Sequence, residues 1–411
     1  MRKIPHLLLA ALLGAPLVLA QGPLQVLILS GRNNHDWRAS TPFLRKLLQD
    51  TQRFDVRVVE EPSGITAAAL AGYHVAVSDY NGPRWGETAE TALASFVRSG
   101  KGLAVVHGAS YAFGGLQVLG DRHVRTGIFE PSWPEYARMT GARWSEQAPK
   151  SGHGQRHAFQ VKFVDREHPI AAGRPDTFLT SDELYHNLRM QPGARILATA
   201  YDAPEIGGTG KDEPVLWTVA YGTGRVFHTT LGHDLSAMQS AGFRATFVHG
   251  VEWAATGKVK IPVNPPPAGA VKVQVVTGGH DFAASFYGLF DGYADISAQV
   301  QPHPGVFRRD FRQSADVLVL YDLIEKLDDA QKQNLRAFLE SAKGMVVLHH
   351  ALADNQDWPW WYQDVTGGRY LLKPEGSSAA STFQHDVDLL VRPARSHPIT
   401  AGLGPILIQD E

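Results

Sequence analysis

The 411-residue sequence contains no cysteine. That excludes disulfides, a thiolate nucleophile and any zinc site built on cysteine. Excess charge of either sign is also lacking. There are 39 basic and 41 acidic residues, a formal net charge of -2 and no basic stripe, so the chain has no electrostatic footprint for nucleic acid. Long apolar runs are missing too. The run from Leu7 to Val18 is too short to span a bilayer comfortably. With Arg2 and Lys3 before it and Val18-Leu19-Ala20 at its end, residues 1–20 read as a secretory signal peptide rather than a membrane helix. The mature protein is then expected to be periplasmic or extracellular, with no membrane contact after cleavage. Without cysteine its stability must come from a packed core, and 44% hydrophobic with 19% charged residues suits a globular chain.

What the sequence does have is a broken internal repeat, the feature that most constrains a fold when it is present. A first copy reads VLILSGRNNHDW, GKGLAVVHGAS, WPEY, EHPIAAG and SDELYH; a second reads VQVVTGGHDF, AKGMVVLHHAL, WPWW, SHPITAG and QDE. His35-Asp36 pairs with His280-Asp281, Asp79 with Asp322, His107 with His349, Trp133-Pro134 with Trp358-Pro359, His157 with His385, and Asp182-Glu183 with Asp410-Glu411. His153 has no twin, and the second copy ends before counterparts of His186 and His233. The second copy therefore lacks its last two strands and closing helix, and the chain is expected to be a fragment of a longer protein or a truncated gene product.

Short apolar strands at 24–29, 56–59, 74–77 and 103–106 alternate with helical patterns at 41–50 and 87–99. Leu103 to Val106, apolar without alternation, suits a strand covered on both faces. This pattern predicts an α/β fold with a doubly wound, mostly parallel sheet of flavodoxin-like type, in two tandem copies. Residues 110–160 are loop-rich, 214–219 and 225–230 form a hairpin around Tyr221-Gly222-Thr223-Gly224, and 243–255 is a closing helix. The proline-rich PVNPPPAGA stretch makes 261–270 a linker between a first domain at 22–260 and a second at 271–411.

In such sheets ligands bind beyond the carboxyl ends of the strands. That rim gathers His35 and Asp36 after the first strand, Asp79 and His107 after central ones, and His233 and Asp234 after the 225–230 strand. Loops add Asp182, Glu183 and His186 from SDELYH, and His153 and His157 from SGHGQRH. Histidines with carboxylates suit acid/base work or a divalent metal such as zinc. His153 and His157 are candidate metal ligands by spacing, although four residues apart helps only on a helix and their glycine-flanked setting argues for a loop. Plainer readings stand beside these: Asp36 as a helix cap, His107 as a satisfied core histidine, His168-Pro169 as a turn, and Gly207-Gly208-Thr209-Gly210 as a loop rather than a phosphate cradle.

HDW after the first strand, GKGLAVVHGAS, WPEY, SGHGQRHAFQV, EHPI, SDELYH, EPVLWT, YGTGRVFHTTLGHD and GVEWAATG together resemble the ThuA-like domain of the trehalose utilization family. The resemblance covers nearly all of the first domain and the available part of the second. It implies the class I glutamine-amidotransferase-like fold, in which a cysteine sits at an elbow after a central strand and a histidine follows a later strand. By position His107 stands at or beside that elbow and His233 near the later histidine. Amidotransferase chemistry through a thiolate is excluded here. Ser110 is an alternative nucleophile, with Leu352 as its twin. The family's association with oxidation of disaccharides to keto-sugars implies a carbohydrate-related substrate. On that basis the expectation is an exported lyase, isomerase or hydrolase acting on a carbohydrate. His107 and His233 would act as acid/base groups, and Asp182 and Glu183 would orient them or hold a metal. Trp133 and Tyr136 would stack on the sugar, and His35, Asp36, Asp79 and His186 would line its site. The alternatives are a non-catalytic sugar-binding module and a structural module of a larger secreted protein.

Overall fold

The computed structural model describes residues 22–119, 122–125, 132–262, 269–280, 284–290, 293 and 295–410. The signal-peptide expectation at 1–20, most of the linker at 263–268, and Asp281 and Glu411 lie outside the described residues. The first unit is built on a nine-stranded sheet. Its strands are β1 (Leu24–Leu29), β2 (Phe54–Val59), β3 (Val75–Ser78), β4 (Gly102–Val106), β5 (His157–Phe163), β6 (Thr177–Asp182), β7 (Arg195–Tyr201), β8 (Asp212–Tyr221) and β9 (Gly224–Thr229), in the order β6-β5-β7-β8-β9-β4-β3-β1-β2. From β2 to β9 every neighbouring pair is parallel; from β9 to β6 every pair is antiparallel.

The sheet is therefore mixed, which corrects the expectation of a mostly parallel one. The physical reason is connection length. β8 and β9 are joined by a tight turn at Tyr221–Gly224, and so short a link allows only antiparallel pairing. β6 and β7, which have no strong alternating pattern, extend that half further.

Side chains alternate across the strands. Leu27, Leu29, Ala76, Leu103 and Val105 enter one apolar layer with helix α2 (Glu87–Arg98) and helix α3 (Pro134–Thr140). Val26, Ile28, Val75, Val77, Ala104 and Val106 enter the other with helix α1 (Trp37–Gln49) and helix α4 (Ala241–Thr256). Helix α3 arises within the stretch read as loop. Pro134 starts it, where a missing N–H costs nothing, and Gly141 ends it at φ 84°, a left-handed conformation suited to glycine.

In the second unit, β10 (Val271–Gly278), β11 (Ile296–Pro302), β12 (Val317–Asp322) and β13 (Gly344–Val347) form an all-parallel sheet in the order β11-β10-β12-β13. That is the same succession and polarity as β2-β1-β3-β4. Helix α5 (Asp329–Glu340) is opened by a capping box between Asp328 and Gln331, and buries Leu335 and Phe338 against Leu318, Leu320, Trp358 and Trp361. Among the described residues no helix is long and apolar enough to cross a membrane.

Helix α4 lies so close to the sheet that a β-carbon on Gly250 would sit 2.2 Å from a ring carbon of Phe227. Alanine at an interior helix position normally gains about 1 kcal/mol over glycine. Forcing a methyl into a filled core costs about 1–3 kcal/mol, so overpacking wins. Gly250→Ala is expected to lower the unfolding free energy by up to about 2 kcal/mol. A urea midpoint at or above the wild-type value would show that the helix can lift off the sheet without cost.

Candidate metal centre

The carboxyl ends of the parallel strands deliver the polar residues. β4 runs straight into His107, whose φ of +40° is a left-handed conformation that a bulky side chain rarely adopts. Such strain persists only where the surroundings over-determine it. Here the imidazole is buried, and its Nδ1 lies 2.6 Å from the Thr230 carbonyl at the end of neighbouring β9. A carbonyl only accepts, so Nδ1 carries the proton and Nε2 the lone pair. Gly108 follows because the His35 ring needs the space: a β-carbon there would lie 2.6 Å from His35 Nδ1.

His35 sits in the turn between β1 and α1. Its Nδ1 donates to Asn33 Oδ1 at 3.0 Å, leaving Nε2 as its lone pair. Asn33 is oriented in turn by its amide nitrogen, 3.2 Å from the Asp79 carbonyl oxygen. Glu183 follows β6 and His233 follows β9. Asp182 holds both loops, its carboxylate accepting from the backbone nitrogens of Glu183 at 2.8 Å, Gly232 at 2.7 Å and His233 at 3.2 Å.

These elements bring together one ligand atom each from His35, His107, Glu183 and His233, all within 4.8 Å of one another. His233 Nδ1 lies 3.0 Å, and His107 Nε2 3.9 Å, from Glu183 Oε2. The His233 nitrogen is buried and not aligned for a hydrogen bond to that oxygen. Burial, and then the neighbouring imidazole of His233, pushes His35 down to about 3. Burial, reinforced by His35 and His233, holds His107 well below the usual histidine range. Burial opposes protonation of His233, but the Glu183, Asp234 and Asp182 carboxylates outweigh it and raise this group. Burial likewise opposes ionisation of Glu183, and His233, His153 and His35 outweigh it and lower this one. Burial thus favours neutral His35 and His107, and the neighbouring histidines favour an ionised Glu183; neutral imidazole and ionised carboxylate are the forms a metal ion takes.

The other residues expected at the rim are spread out. His153 stands at the edge of the cluster, with Nε2 3.5 Å from Glu183 Oε2 and its ring partly exposed. His157 is on β5, its Nδ1 bonded to the Gln155 carbonyl and its ring 5.1 Å from Phe159, and it is not in the cluster. Asp36 caps α1 by accepting from Ala39 N at 3.2 Å. Asp79 is buried beneath the site and accepts from the Ser40 and Thr41 hydroxyls at 2.8 and 2.7 Å. His186 Nδ1 donates to Asp202 Oδ2 at 2.7 Å. Trp133 and Tyr136 stack on each other in the core, where the Tyr136 hydroxyl bonds to the Ala109 carbonyl. Ser110 bonds to His228 at 2.7 Å, with both side chains buried and the His228 ring stacked on Trp217.

Sequence reasoning did not single out Asn33, Tyr185 or the Thr230 carbonyl. Asn33 in RNNHDW and Tyr185 in SDELYH lie within the quoted motifs, and their adjacency to His35 and Glu183 was the available signal. A carbonyl leaves no trace in a sequence.

The ThuA family, described by its role in trehalose utilisation, matches residues 25–254 and 279–411. The chain belongs to this family. A ThuA-like protein from Parabacteroides merdae, known from a crystal structure at 1.75 Å, is 32% identical with a TM-score of 0.50, over 59% of this chain and 93% of that one. A ThuA-like protein from Bacteroides uniformis is 17% identical with a TM-score of 0.45, over 60% of this chain and 97% of that one. No functionally curated protein matches the chain.

One support of this ThuA-family site titrates in an unusual range. Burial raises Asp79 from 3.8 to about 6, against the Thr41 and Ser40 hydroxyls that lower it. Between those two pH values the folded protein holds a proton that the unfolded chain has already released. Stability from this group therefore falls as pH rises from about 4 to about 6. In Asp79→Asn that part of the slope should vanish. The unfolding free energy at pH 7 minus that at pH 4 should then be more positive than in the wild type, and an unchanged difference would place the titration elsewhere.

Proposed function

We propose that the first unit binds a divalent metal ion at His35, His107, Glu183 and His233 and acts there on a carbohydrate or keto-sugar. The observation that carries the reading is the convergence of those four ligand atoms within 4.8 Å. The donor set fits: three imidazoles and one carboxylate suit zinc and its first-row neighbours. The outer contacts fit as well, since metal-bound histidines give their remote N–H to an oxygen, as His35 does to Asn33 and His107 to Thr230. Two donors on one tetrahedral ion at about 2.1 Å lie about 3.4 Å apart, so the widest pair has to close by about 1 Å or more. Bound there, an ion would polarise a hydroxyl or carbonyl oxygen of the sugar.

The chain's own residues supply the rest. Glu183 and His233, whose side chains meet at 3.0 Å, are the members of the cluster whose charges favour each other. His153, at the edge, offers a further polar group to a ligand entering from solvent. The carbohydrate assignment rests on the family, whose description is trehalose utilisation. The amidotransferase-like character rests on the strained position of His107 at the end of β4, and the second unit reads as a divergent copy because its sheet repeats the order of β2-β1-β3-β4. The basic and apolar leader at Arg2 to Ala20 supports action outside the cytoplasm.

After incubation with zinc and desalting, elemental analysis of the full chain should find one ion per molecule. His107→Ala and His233→Ala should each lower occupancy at least tenfold. The loaded protein should turn over, or be thermally stabilised by, at least one member of a panel of keto-sugars and disaccharides. An ion-free wild-type protein sinks the metal reading; a loaded protein indifferent to the whole panel sinks the carbohydrate reading.

A further inference from the structure

The Tyr185 hydroxyl lies 2.7 Å from His107 Nε2. Because His107 Nδ1 spends its proton on the Thr230 carbonyl, Nε2 can only accept, and Tyr185 must be the donor. This is the lone pair that an ion in the cluster would take. One lone pair cannot serve a proton and a metal at once, so the Tyr185–His107 bond and the ion exclude each other.

Tyr185 cannot retreat far when displaced. It lies on a two-residue strand, Tyr185–His186, paired with Gly152–His153. Its ring is packed 4.4 Å from His107, 5.3 Å from Trp144 and 6.0 Å from Tyr111, and the side chain is 1% exposed. Once off His107, the hydroxyl stays beside the cluster, with the Tyr111 hydroxyl as its remaining hydrogen-bond partner. An oxygen of a ligand on the ion is then a further acceptor within reach of a buried hydroxyl that has lost one of its two partners.

We propose that Tyr185 occupies the His107 lone pair in the ion-free protein and, when an ion displaces it, donates its hydroxyl hydrogen to an oxygen of the bound ligand. The proposal rests on the metal reading above. It adds Tyr185 as the residue that couples ion binding to recognition of an oxygen-rich ligand such as a sugar or hydroxy-carbonyl compound.

The test uses zinc and acetohydroxamate as probes on the full-length protein. Tyr185→Phe removes the bond that the ion must break, so zinc measured against a chromophoric chelator should bind roughly 2- to 12-fold tighter, the equivalent of one net hydrogen bond. The zinc-loaded variant should bind acetohydroxamate several-fold more weakly than loaded wild type. Tyr111→Phe, which leaves the Tyr185–His107 bond in place but removes the other hydroxyl bonded to Tyr185, should not tighten zinc binding. Equal or weaker zinc binding by Tyr185→Phe overturns the proposal, as does equal tightening in Tyr111→Phe. Unchanged acetohydroxamate binding overturns the donor role. In wild-type protein labelled at tyrosine Cζ, zinc should shift the Tyr185 resonance, and an unmoved resonance counts against the proposal even if the variant fails to fold. Wild-type protein that takes up no zinc instead defeats the underlying metal reading.

Discussion

The imidazole of His107 is fixed from both sides, and the centre is organised around it. Its Nδ1 ties the end of β4 to the end of β9 through the Thr230 carbonyl, and its Nε2 meets Tyr185 from the separate two-residue strand paired with Gly152–His153. The left-handed backbone at this residue, which costs of order 1–2 kcal/mol, is held by those two bonds and by a buried ring. If the turn relaxed to an ordinary conformation, the ring would swing out of line with the sheet end and the cluster would lose its central member. The glycine after it is part of the same constraint, because the His35 ring lies where a side chain would be.

Charge is arranged to match. Asp182 is raised to about 6 by burial, against the opposing pull of Arg156 and the Gly232 amide. Its oxygens are committed to three backbone amides, so it shapes the two loops while Glu183, one residue on, faces the histidines. Arg156 pairs with Asp234, which also caps the short helix Leu235–Met238 through Ala237 N. Adjacent acidic residues thus have different work: one fixes backbone, the next presents a carboxylate to an ion or a proton. Alternation along the end of an extended strand is enough to send the two side chains different ways.

Much of this was legible before any coordinates. The rule that ligands gather at strand carboxyl ends selected His35, His107 and His233 from apolar runs that end in polar residues, because β1, β4 and β9 read clearly as buried strands. The mixed character of the sheet was foreshadowed by the turn at Tyr221–Gly224, since a hairpin requires antiparallel neighbours; β6 and β7, with polar residues at several positions, carried no comparable signal. The spacing of His153 and His157 misleads for a related reason. It suggests a shared face only on a helix, whereas His153 lies on a short strand by Tyr185 and His157 opens β5, so the two rings part company. Trp133 and Tyr136 look like sugar-stacking residues in sequence, yet α3 turns both inward against Phe113 and Trp85. Aromatic content alone does not say which side of a helix meets solvent.

The second unit builds the end of its central strand differently. His349 follows β13 at φ +49°, as His107 follows β4. The position of Gly108, however, holds His350, whose ring lies 4.1 Å from His349 and 4.2 Å from His280. A third ring therefore fills the space through which His35 approaches His107 in the first unit, and the His280–His349 ring separation grows to 6.2 Å from 4.7 Å for His35–His107. The acid below has changed partners too: Asp322 faces His303 at 3.0 Å, where Asp79 faces two hydroxyls. Among the described residues, a group of three or more ligands close enough for one ion forms in the first unit alone. The strained turn is thus common to both sheets, and the glycine beside it is what lets the His35 and His107 rings of the first approach to 4.7 Å.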